Sequence, residues 1–224
     1  MQKKYEPSID SLELSKIFHE IRNPLTLINS SLQLIQDEHP EVCDFRFWNQ
    51  TMEDLKNLRT LLEELSTFQK GSVLNRTKIN LFDFTEDLVE STAAFLLETG
   101  TPLTLDCKID DLDFYADDVK LRQAVVNLLK NAAESSPRGN PITLKITAKE
   151  NTLSILVEDY GCGIDDRQFS TIFQPFHTTK PSGTGLGLPI VKKIVEAHGG
   201  ILNIQSIPSK GTTINIYLPL SRMV

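Results

Sequence analysis

The chain has 224 residues, 40% of them hydrophobic and 24% charged, and carries a formal net charge of -7 at pH 7. This composition is typical of a globular protein with one large or two small domains. The acidic balance and the lack of a long basic run argue against nucleic acid or an anionic membrane surface as the main partner. No apolar run of 18 residues is present, so the sequence predicts no direct insertion into a membrane.

The three cysteines are Cys43, Cys107 and Cys162. Their wide spacing matches neither a disulfide framework nor a zinc site. Residues 1–5 are not followed by the apolar stretch of a secretory signal. These features predict a reducing, cytoplasmic compartment.

The first part of the chain follows a heptad pattern. Two sets of apolar residues recur every seven positions, one at Leu14, Ile21, Ile28 and Ile35 and the other at Phe18, Leu25 and Leu32. This is the a/d seam of a helix that packs against others, and proline at position 40 ends it. A second seam follows at Trp48, Leu55 and Leu62, with Thr51, Leu58 and Leu65. A helical hairpin over residues 8–70 is predicted. Because one hairpin has a thin core, we expect two copies to form a dimeric four-helix bundle.

The heptad pattern stops near Lys70, and residues 71–78, which show no clear periodicity, are predicted to be a linker. From residue 79 to residue 224, helical and strand patterns alternate. Helices are predicted at 84–97, 119–135 and 189–198, strands at 103–109, 142–148 and 153–157, and a closing hairpin at 201–220 interrupted at 208–211. The second domain is therefore expected to be an α/β sandwich, a sheet with helices on one face.

His19 is a candidate nucleophile. It follows a d position of the first seam and is expected to face solvent, with Asn23 on the same face four residues later. A neutral imidazole has a nucleophilic ring nitrogen at physiological pH. Glu20 is the nearest group that can hold the other ring nitrogen as N–H and so fix the tautomer. A lone histidine on a helix is more often a solvated side chain, but the motifs downstream favour the role of phosphoryl acceptor.

Asn127 and Asn131 are four residues apart on a predicted helix, so their amides point the same way. An amide oxygen is a suitable single ligand for Mg²⁺, whose other ligands are usually phosphate oxygens and water. If the pair stood alone, two polar residues on an exposed face would be the simpler explanation. Asp159 follows an apolar strand and precedes Gly161 and Gly163. A carboxylate at that strand end can accept from an adenine amino group, and the glycines permit close approach of the backbone.

A second glycine-rich stretch leads into the helix predicted at 189–198. Its residues are Gly183, Gly185, Leu186, Gly187 and Leu188. A helix N-terminus attracts phosphate through its free N–H groups. Lys180, on the polar loop before it, can neutralise charge at a γ-phosphate, although a solvated loop lysine is the alternative. Neither glycine stretch has the spacing of a Walker or a Rossmann loop.

Together these motifs resemble, from Ser11 to Leu220, the catalytic core of the sensor histidine kinases of two-component systems. Residues 19–24 look like the phospho-acceptor box, 127–131 like the asparagine box and 173–176 like the phenylalanine box. Residues 159–163, 183–188 and 211–212 look like the three glycine boxes. The resemblance implies a dimerisation and histidine-phosphotransfer domain at 8–70 and a Bergerat-type ATP-binding domain at 79–224.

By the same resemblance, the cofactors are ATP and Mg²⁺, with the metal held by Asn131 and the adenine read by Asp159 with support from Thr212. Glu20 acts as acid or base beside the acceptor, and Asn23 positions water when the domain dephosphorylates its partner. The implied reaction is ATP-dependent autophosphorylation of the histidine, followed by transfer to an aspartate in the receiver domain of a response regulator. The implied assembly is a homodimer formed by the hairpin.

No sensor, membrane-spanning or relay domain precedes the hairpin in this sequence. We therefore expect either the cytoplasmic core of a longer membrane sensor or a chain whose input comes through a partner protein. Two other functions stay open. A gyrase-like ATPase typically has a glutamate where this chain has Asn127. A phosphotransfer or docking protein without ATP binding would not need the intact asparagine and glycine boxes.

Overall fold

The computed structural model describes residues 11–107, 112–180 and 183–220. The chain divides into two compact units, with the boundary between Lys70 and Gly71. Within the described ranges, no helix is both long enough and apolar enough to cross a bilayer.

The first unit is a helical hairpin, as predicted. α1 (Ser11–Glu38) and α2 (Trp48–Lys70) are connected through a short 3-10 helix (Pro40–Asp44). α1 ends two residues before Pro40, because proline has no N–H for a further helical bond and restricts the residue before it.

One of the two heptad seams of α1 forms the core of the hairpin. Leu25, Leu55 and Leu62 are buried against one another, and Phe18 and Leu32 pack at the edges of this cluster. The seam that contains Phe18, Leu25 and Leu32 is therefore packed against α2 within a single chain.

The other seam is open to solvent. Its members Ile21, Ile28 and Ile35 are each more than two-fifths exposed, with Ile28 at 49%, and so is Leu58 of the corresponding α2 pattern. Isolated exposed apolar residues are ordinary on a protein surface, but a continuous stripe at heptad spacing is typical of a face that packs against another helix.

The second unit contains seven strands and four helices among its described residues. The strands are β1 (Thr77–Asn80), β2 (Leu103–Cys107), β3 (Asp113–Ala116), β4 (Ile142–Lys149), β5 (Thr152–Asp159), β6 (Ile201–Ile207) and β7 (Gly211–Pro219). The helices are α3 (Leu81–Thr99), α4 (Asp118–Ser135), α5 (Asp166–Phe169) and α6 (Gly187–Ala197). The main sheet has the order β2-β4-β5-β7-β6, and β1 pairs with β3 in a separate two-stranded sheet. In the main sheet, β2 and β4 are parallel and the other neighbours are antiparallel.

The core lies between the main sheet and the helices α4 and α6. Every second residue of β5 is buried, namely Leu153, Ile155, Val157 and Asp159, while most residues between them are half-buried. Apolar side chains of the two helices, such as Leu128 and Ile190, cover this face. α3 packs against α4. The predicted sandwich, with helices on one face of the sheet, is confirmed.

α4 and α6 pack together and run in opposite directions. At one end, the backbone N–H of Asp117, which precedes α4, donates to Nε2 of His198, which follows α6. At the other end, Gly187 at the start of α6 lies beside Asn131, since a Cβ on Gly187 would be 3.5 Å from Nδ2 of Asn131. One end of this helix pair therefore carries Asn131 and the second glycine box, and the other carries Asp117 and His198.

The sequence patterns do not predict β1, β3 or α5. Each has four residues, which is too short for a period to be recognised. As a result, Thr77 and Lys78 of the predicted linker belong to β1. β2 ends at Cys107, and Ile109, at the end of the strand predicted there, lies outside the described residues.

Candidate active site

His19, Glu20 and Asn23 are exposed on α1 of the first unit. Phe18 packs against the hairpin core, so the side chain that follows it points outward. A helix turns about 100° per residue, which places Asn23 about 40° from His19 and Glu20 about 100° from it. Pro24 lies inside the helix and has no N–H, so it cannot donate the usual helical bond to the carbonyl of Glu20. The imidazole is thus accessible on a locally weakened helix.

Asn127 and Asn131 lie one turn apart on α4, and both are half-buried. Nδ2 of Asn127 is buried and has no hydrogen-bond partner among the described residues. A buried polar atom without a partner is unfavourable by about 1–3 kcal/mol. It therefore marks a position where a polar ligand would be favourable.

Lys180 contacts α4 near Asn131. Its Nζ lies 2.6 Å from Oε2 of Glu134 and 3.5 Å from Oδ1 of Asn131. Its backbone N–H donates to Oγ1 of Thr178 at 3.1 Å, which shapes the loop. A cation is therefore placed at the end of α4 that carries Asn131. Sequence reasoning misses Glu134, although its position three residues after Asn131 puts both side chains on one helix face.

The second glycine box forms the start of α6. No side chain caps the first turn of this helix within the described part of the chain. Leu186 is fully buried and Leu188 is half-buried, so the two leucines fix the turn against the core. Gly187 lies beside Asn131. The N–H groups of a helix start without a side-chain cap, next to the side-chain amide nitrogen of Asn131, suit a phosphate group.

The loop before α6 packs closely on the phenylalanine box. Gly185 has φ +70°, and a Cβ there would lie 2.6 Å from the backbone nitrogen of His177. The carbonyl of Gly185 accepts from the N–H of Phe176 at 3.1 Å. Gly183 donates its N–H to the carbonyl of Lys180 at 3.1 Å. The turn therefore needs glycine at 185, both for backbone conformation and for space.

Asp159 is the last residue of β5 and is buried. Its Oδ1 accepts from the N–H of Gly161 at 2.8 Å and from the N–H of Thr212 at 3.3 Å. Burial raises the pKa of Asp159 above its ordinary value, although these two N–H groups and the charge of Lys180 act in the opposite direction. Since both bonds are made by Oδ1, Oδ2 is the oxygen that can accept from a ligand.

The first glycine box runs between the end of α4 and the end of β6. A Cβ at Gly161 would lie 2.2 Å from the carbonyl oxygen of Ser135, so a larger residue would force the loop away from α4. Gly163 is half-buried beside Ile207. The contact of Gly161 with α4 and that of Gly163 with β6 fix the turn that follows Asp159.

Thr212 pairs with Asp159 across β5 and β7. Its Oγ1 lies 2.9 Å from Oγ of Ser206 on β6, and the same Oγ accepts from the N–H of Ile164 at 2.8 Å. Ser206 thus joins β6, β7 and the first glycine box. The sequence gives no signal for it, because a single serine on an edge strand is unremarkable by pattern.

These features fit a nucleotide with Mg²⁺. Among residues 11–107, 112–180 and 183–220, no group of three His, Cys, Asp or Glu side chains is placed to hold a metal ion. Mg²⁺ usually keeps several waters and takes one or two protein ligands plus phosphate oxygens, so the single amide oxygen of Asn131 fits it. The buried Nδ2 of Asn127 offers a donor and Oδ2 of Asp159 offers an acceptor, which match a phosphate oxygen and an adenine amino group.

Residues 116–222 match the family described as Histidine kinase-, DNA gyrase B-, and HSP90-like ATPase. Sporulation kinase A of Bacillus subtilis is 34% identical over 98% of this chain and 36% of its own length. Signal transduction histidine-protein kinase AtoS of Escherichia coli is 30% identical over 93% of this chain and 34% of its own length. The chain spans about a third to a half of the length of the curated relatives it matches.

Solved structures share the fold. Full-length ShkA in complex with AMPPNP has a TM-score of 0.81 over 96% of this chain and 47% of ShkA, at 20% identity. Histidine kinase ThkA in complex with the response regulator protein TrrA has a TM-score of 0.67 over 92% of this chain and 60% of that chain, at 25% identity. Residues 116–222 therefore form a domain of this ATPase family, and nearly the whole chain is similar to histidine kinases of signal transduction.

Proposed function

We propose that this chain is an ATP-dependent protein-histidine autokinase. It binds ATP with Mg²⁺ in the second unit, transfers the γ-phosphoryl group to a ring nitrogen of His19, and passes it to an aspartate of a response regulator. The observation that carries this proposal is the arrangement at the start of α6, where a helix N-terminus, Asn131 and Lys180 lie together. Phosphate oxygens and their metal ion are the ligands that this arrangement suits.

Adenine is recognised by Asp159. Its Oδ1 is engaged by the N–H groups of Gly161 and Thr212, so its Oδ2 accepts from the exocyclic amino group. A hydrogen bond in this buried site is stronger than the same bond in water. Ser206 supports the arrangement because its contact with Oγ1 of Thr212 holds the start of β7 in place.

The phosphates are held at the other end of the site. Oδ1 of Asn131 serves as the protein ligand of Mg²⁺, and Nδ2 of Asn127 gains the partner that it lacks among the described residues. When bound, the metal ion neutralises charge on the phosphate oxygens. Nζ of Lys180 lies 3.5 Å from Oδ1 of Asn131, within reach of the same oxygens. Positioning and charge neutralisation account for most of the catalysis of phosphoryl transfer.

Transfer begins with the lone pair of a ring nitrogen of His19. This nitrogen attacks the γ-phosphorus, the bond to the β–γ bridging oxygen breaks, and ADP leaves with that electron pair. The proton on the other ring nitrogen can pass to Glu20. A carboxylate oxygen of the regulator then attacks the phosphorus, and the electrons of the N–P bond return to the imidazole. Asn23, about 40° from His19, positions water when the phosphorylated regulator is hydrolysed.

The open seam of α1 and α2 favours a homodimer. Ile21, Ile28, Ile35 and Leu58 form an apolar stripe that the single hairpin leaves exposed. Pairing two such stripes would complete a four-helix bundle and remove the apolar surface from water.

A second exposed apolar face of α1 is the surface on which we expect the regulator to dock. Leu27 and Leu34 are 70% and 61% exposed. Helix geometry places both within about 40° of Asn23 and away from the open seam. A receiver domain docked there would reach the face that carries His19. That ThkA is solved in complex with the response regulator TrrA supports a regulator as the partner.

The cytoplasm is the compartment that we propose. The three cysteines are free in the structure, which suits a reducing environment.

The test is incubation of the chain with γ-labelled ATP and Mg²⁺, followed by acid and alkali treatment of the protein. We expect a label that is lost in acid, survives alkali and is absent from His19→Gln, with nucleotide affinity unchanged in that variant. Phosphate release without labelled protein would favour the ATPase alternative. Neither nucleotide binding nor label would favour the docking alternative.

A further inference from the structure

Residues 73–76 connect the boundary between the two units to β1 and have irregular backbone, yet hydrogen bonds tie them to the second unit. The N–H of Asn75 donates to Oδ2 of Asp117 at 2.8 Å. Nζ of Lys120 donates to the carbonyl oxygen of Val73. One buried carboxylate and its neighbouring ammonium group therefore hold this segment from two sides.

Asp117 is well suited to this role. It is 5% exposed and caps α4, because its Oδ1 accepts from the N–H of Lys120 at 3.1 Å. Its Oδ2 also lies 3.2 Å from Nζ of Lys120. Burial alone would raise the pKa of Asp117, but the N–H groups of Asn75 and Lys120 and the charge of Lys120 outweigh it and lower the pKa. A buried ion pair is favourable only with such complete hydrogen bonding.

Asp117 is linked to both helices of the antiparallel pair α4 and α6. The N–H of Asp117 donates to Nε2 of His198 at 3.0 Å, and Nδ1 of His198 donates to the carbonyl of Ile194 at 2.8 Å. The guanidinium of Arg76 donates to the carbonyl of Ala197 at 3.4 Å, at the same end of α6. The irregular segment is thus bound to the end of the helix pair that lies opposite the nucleotide motifs.

We propose that Asp117 and Lys120 clamp residues 73–76 onto the catalytic domain, so that bending between this domain and the hairpin is confined to Gly71 and Ser72. The clamp itself is independent of the reaction, while its effect on phosphoryl transfer rests on the proposed function. Asp117 lies about 20 Å along α4 from Asn131. The two clamp residues are therefore positioning residues that contact neither ATP nor His19.

The length of the free tether decides how often the catalytic domain meets His19. With the clamp closed, residues 71–72 lie outside it. With the clamp open, the released tether comprises residues 71–75, because the hydrogen bond from Arg76 to the carbonyl of Ala197 remains. The volume available to a tethered domain grows roughly as the three-halves power of the number of free residues. Opening the clamp should therefore lower the effective concentration of the nucleotide site at His19 by about fourfold.

The test removes both charges in the full chain, as Asp117→Asn/Lys120→Met. Asparagine keeps the cap of α4, and removing both partners leaves no unpaired buried charge. We expect exchange of the Asn75 amide hydrogen to become faster by about tenfold or more. We expect ADP affinity to stay within about twofold, and the rate of His19 labelling to fall by about fourfold.

A matched control is Asp118→Asn/Arg122→Met. This pair, with Nη2 to Oδ1 at 3.0 Å, also lies in the first turns of α4, and its arginine contacts Asp87 of α3 instead of the linker. It should change neither Asn75 exchange nor the labelling rate.

Asn75→Pro removes the N–H donor of the linker and keeps both Asp117 and Lys120, and it should repeat the loss of labelling. Unchanged exchange at Asn75 in the double variant would overturn the clamp, and so would an unchanged labelling rate in both variants. Exchange does not depend on kinase activity. A wild-type chain that fails to label His19 would therefore count against the proposed function and leave the clamp to be decided by exchange.

Discussion

The imidazole of His198 accepts a hydrogen bond through Nε2 from the backbone N–H of Asp117, 3.0 Å away. Its Nδ1 lies 2.8 Å from the carbonyl oxygen of Ile194, so Nδ1 carries the proton and donates it. The ring is 4% exposed. Protonation of Nε2 would place a donor against the N–H of Asp117 in a buried site. The structure therefore requires neutral His198, and this ring joins the start of α4 to the end of α6.

Folding stability should fall when His198 becomes protonated. Burial lowers the pKa of His198 below its ordinary value of 6.5. The hydrogen bond to Ile194 and the charge of Asp117 act to raise this pKa, and the charges of Arg76 and Lys120 act to lower it, with a net lowering. The unfolded chain then takes up this proton at a higher pH than the folded chain. The contribution of His198 to stability is therefore present above about pH 6.5 and is lost as the pH falls through the lower folded pKa.

The measurement is the thermal midpoint between pH 7 and pH 5 for the wild type and for His198→Gln. Glutamine can still accept from Asp117 but does not titrate, so its midpoint should fall less over this range. Asp117 and Asp159, whose pKa values are also shifted, are present in both proteins and largely cancel in the comparison. Equal slopes for the two proteins would contradict a neutral, buried role for His198.

Asp159→Asn should separate nucleotide affinity from stability. The pKa of Asp159 is raised above 3.8, so ionisation of this group opposes folding as the pH rises through the folded pKa. Asparagine removes the buried charge and can still accept from Gly161 through Oδ1, so the thermal midpoint at pH 7 should not fall. Its NH₂ group replaces Oδ2 and donates instead of accepting, so ATP affinity should fall by about tenfold or more. Calorimetric titration with nucleotide and Mg²⁺ tests this, and an unchanged affinity would refute the adenine contact.

Periodicity and local motifs predict much of this fold, and long-range contacts are what they miss. The heptads predict two seams on α1, but equal spacing cannot show that Leu25 faces α2 while Ile28 stays open. Turns such as the one from Asp159 to Gly161 are local, so residue types at short spacing indicate them. Asp117 and His198 meet across a separation of 81 positions, and no local pattern brings them together. Local patterns therefore cannot predict the contacts of Asp117 with His198 or with Asn75.

The glycines of the second box should respond differently to alanine. Gly185 has φ +70°, and a Cβ there would be 2.6 Å from a backbone atom, so Gly185→Ala should destabilise the second unit by about 1–3 kcal/mol. Gly187 begins α6, and a Cβ there would make an ordinary 3.5 Å contact, so Gly187→Ala should be neutral or slightly stabilising. Denaturant unfolding followed by circular dichroism checks both. The single tryptophan, Trp48, lies on α2 of the hairpin, and its fluorescence should be unaffected by either change.

Two adjacent residues of α1 should produce opposite defects. Ile28 belongs to the open seam, so Ile28→Lys would bury a charge in a dimer core, and the chain should become monomeric at concentrations where the wild type is dimeric. Leu27 lies on the other exposed face, so Leu27→Lys should leave the dimer intact. It should slow transfer to a receiver domain that the wild type phosphorylates by about tenfold, which corresponds to the loss of one apolar anchor.

Sedimentation velocity and a timed phosphotransfer assay separate these outcomes. Because both variants introduce the same lysine on one helix, a general loss of helix stability would affect them alike, and far-ultraviolet circular dichroism would detect it. Dimer loss in Leu27→Lys, or normal dimerisation in Ile28→Lys, would show that the faces are assigned the wrong way round. Opposite defects from these neighbouring residues would support the proposal that one exposed face of α1 pairs two hairpins and the other docks the regulator.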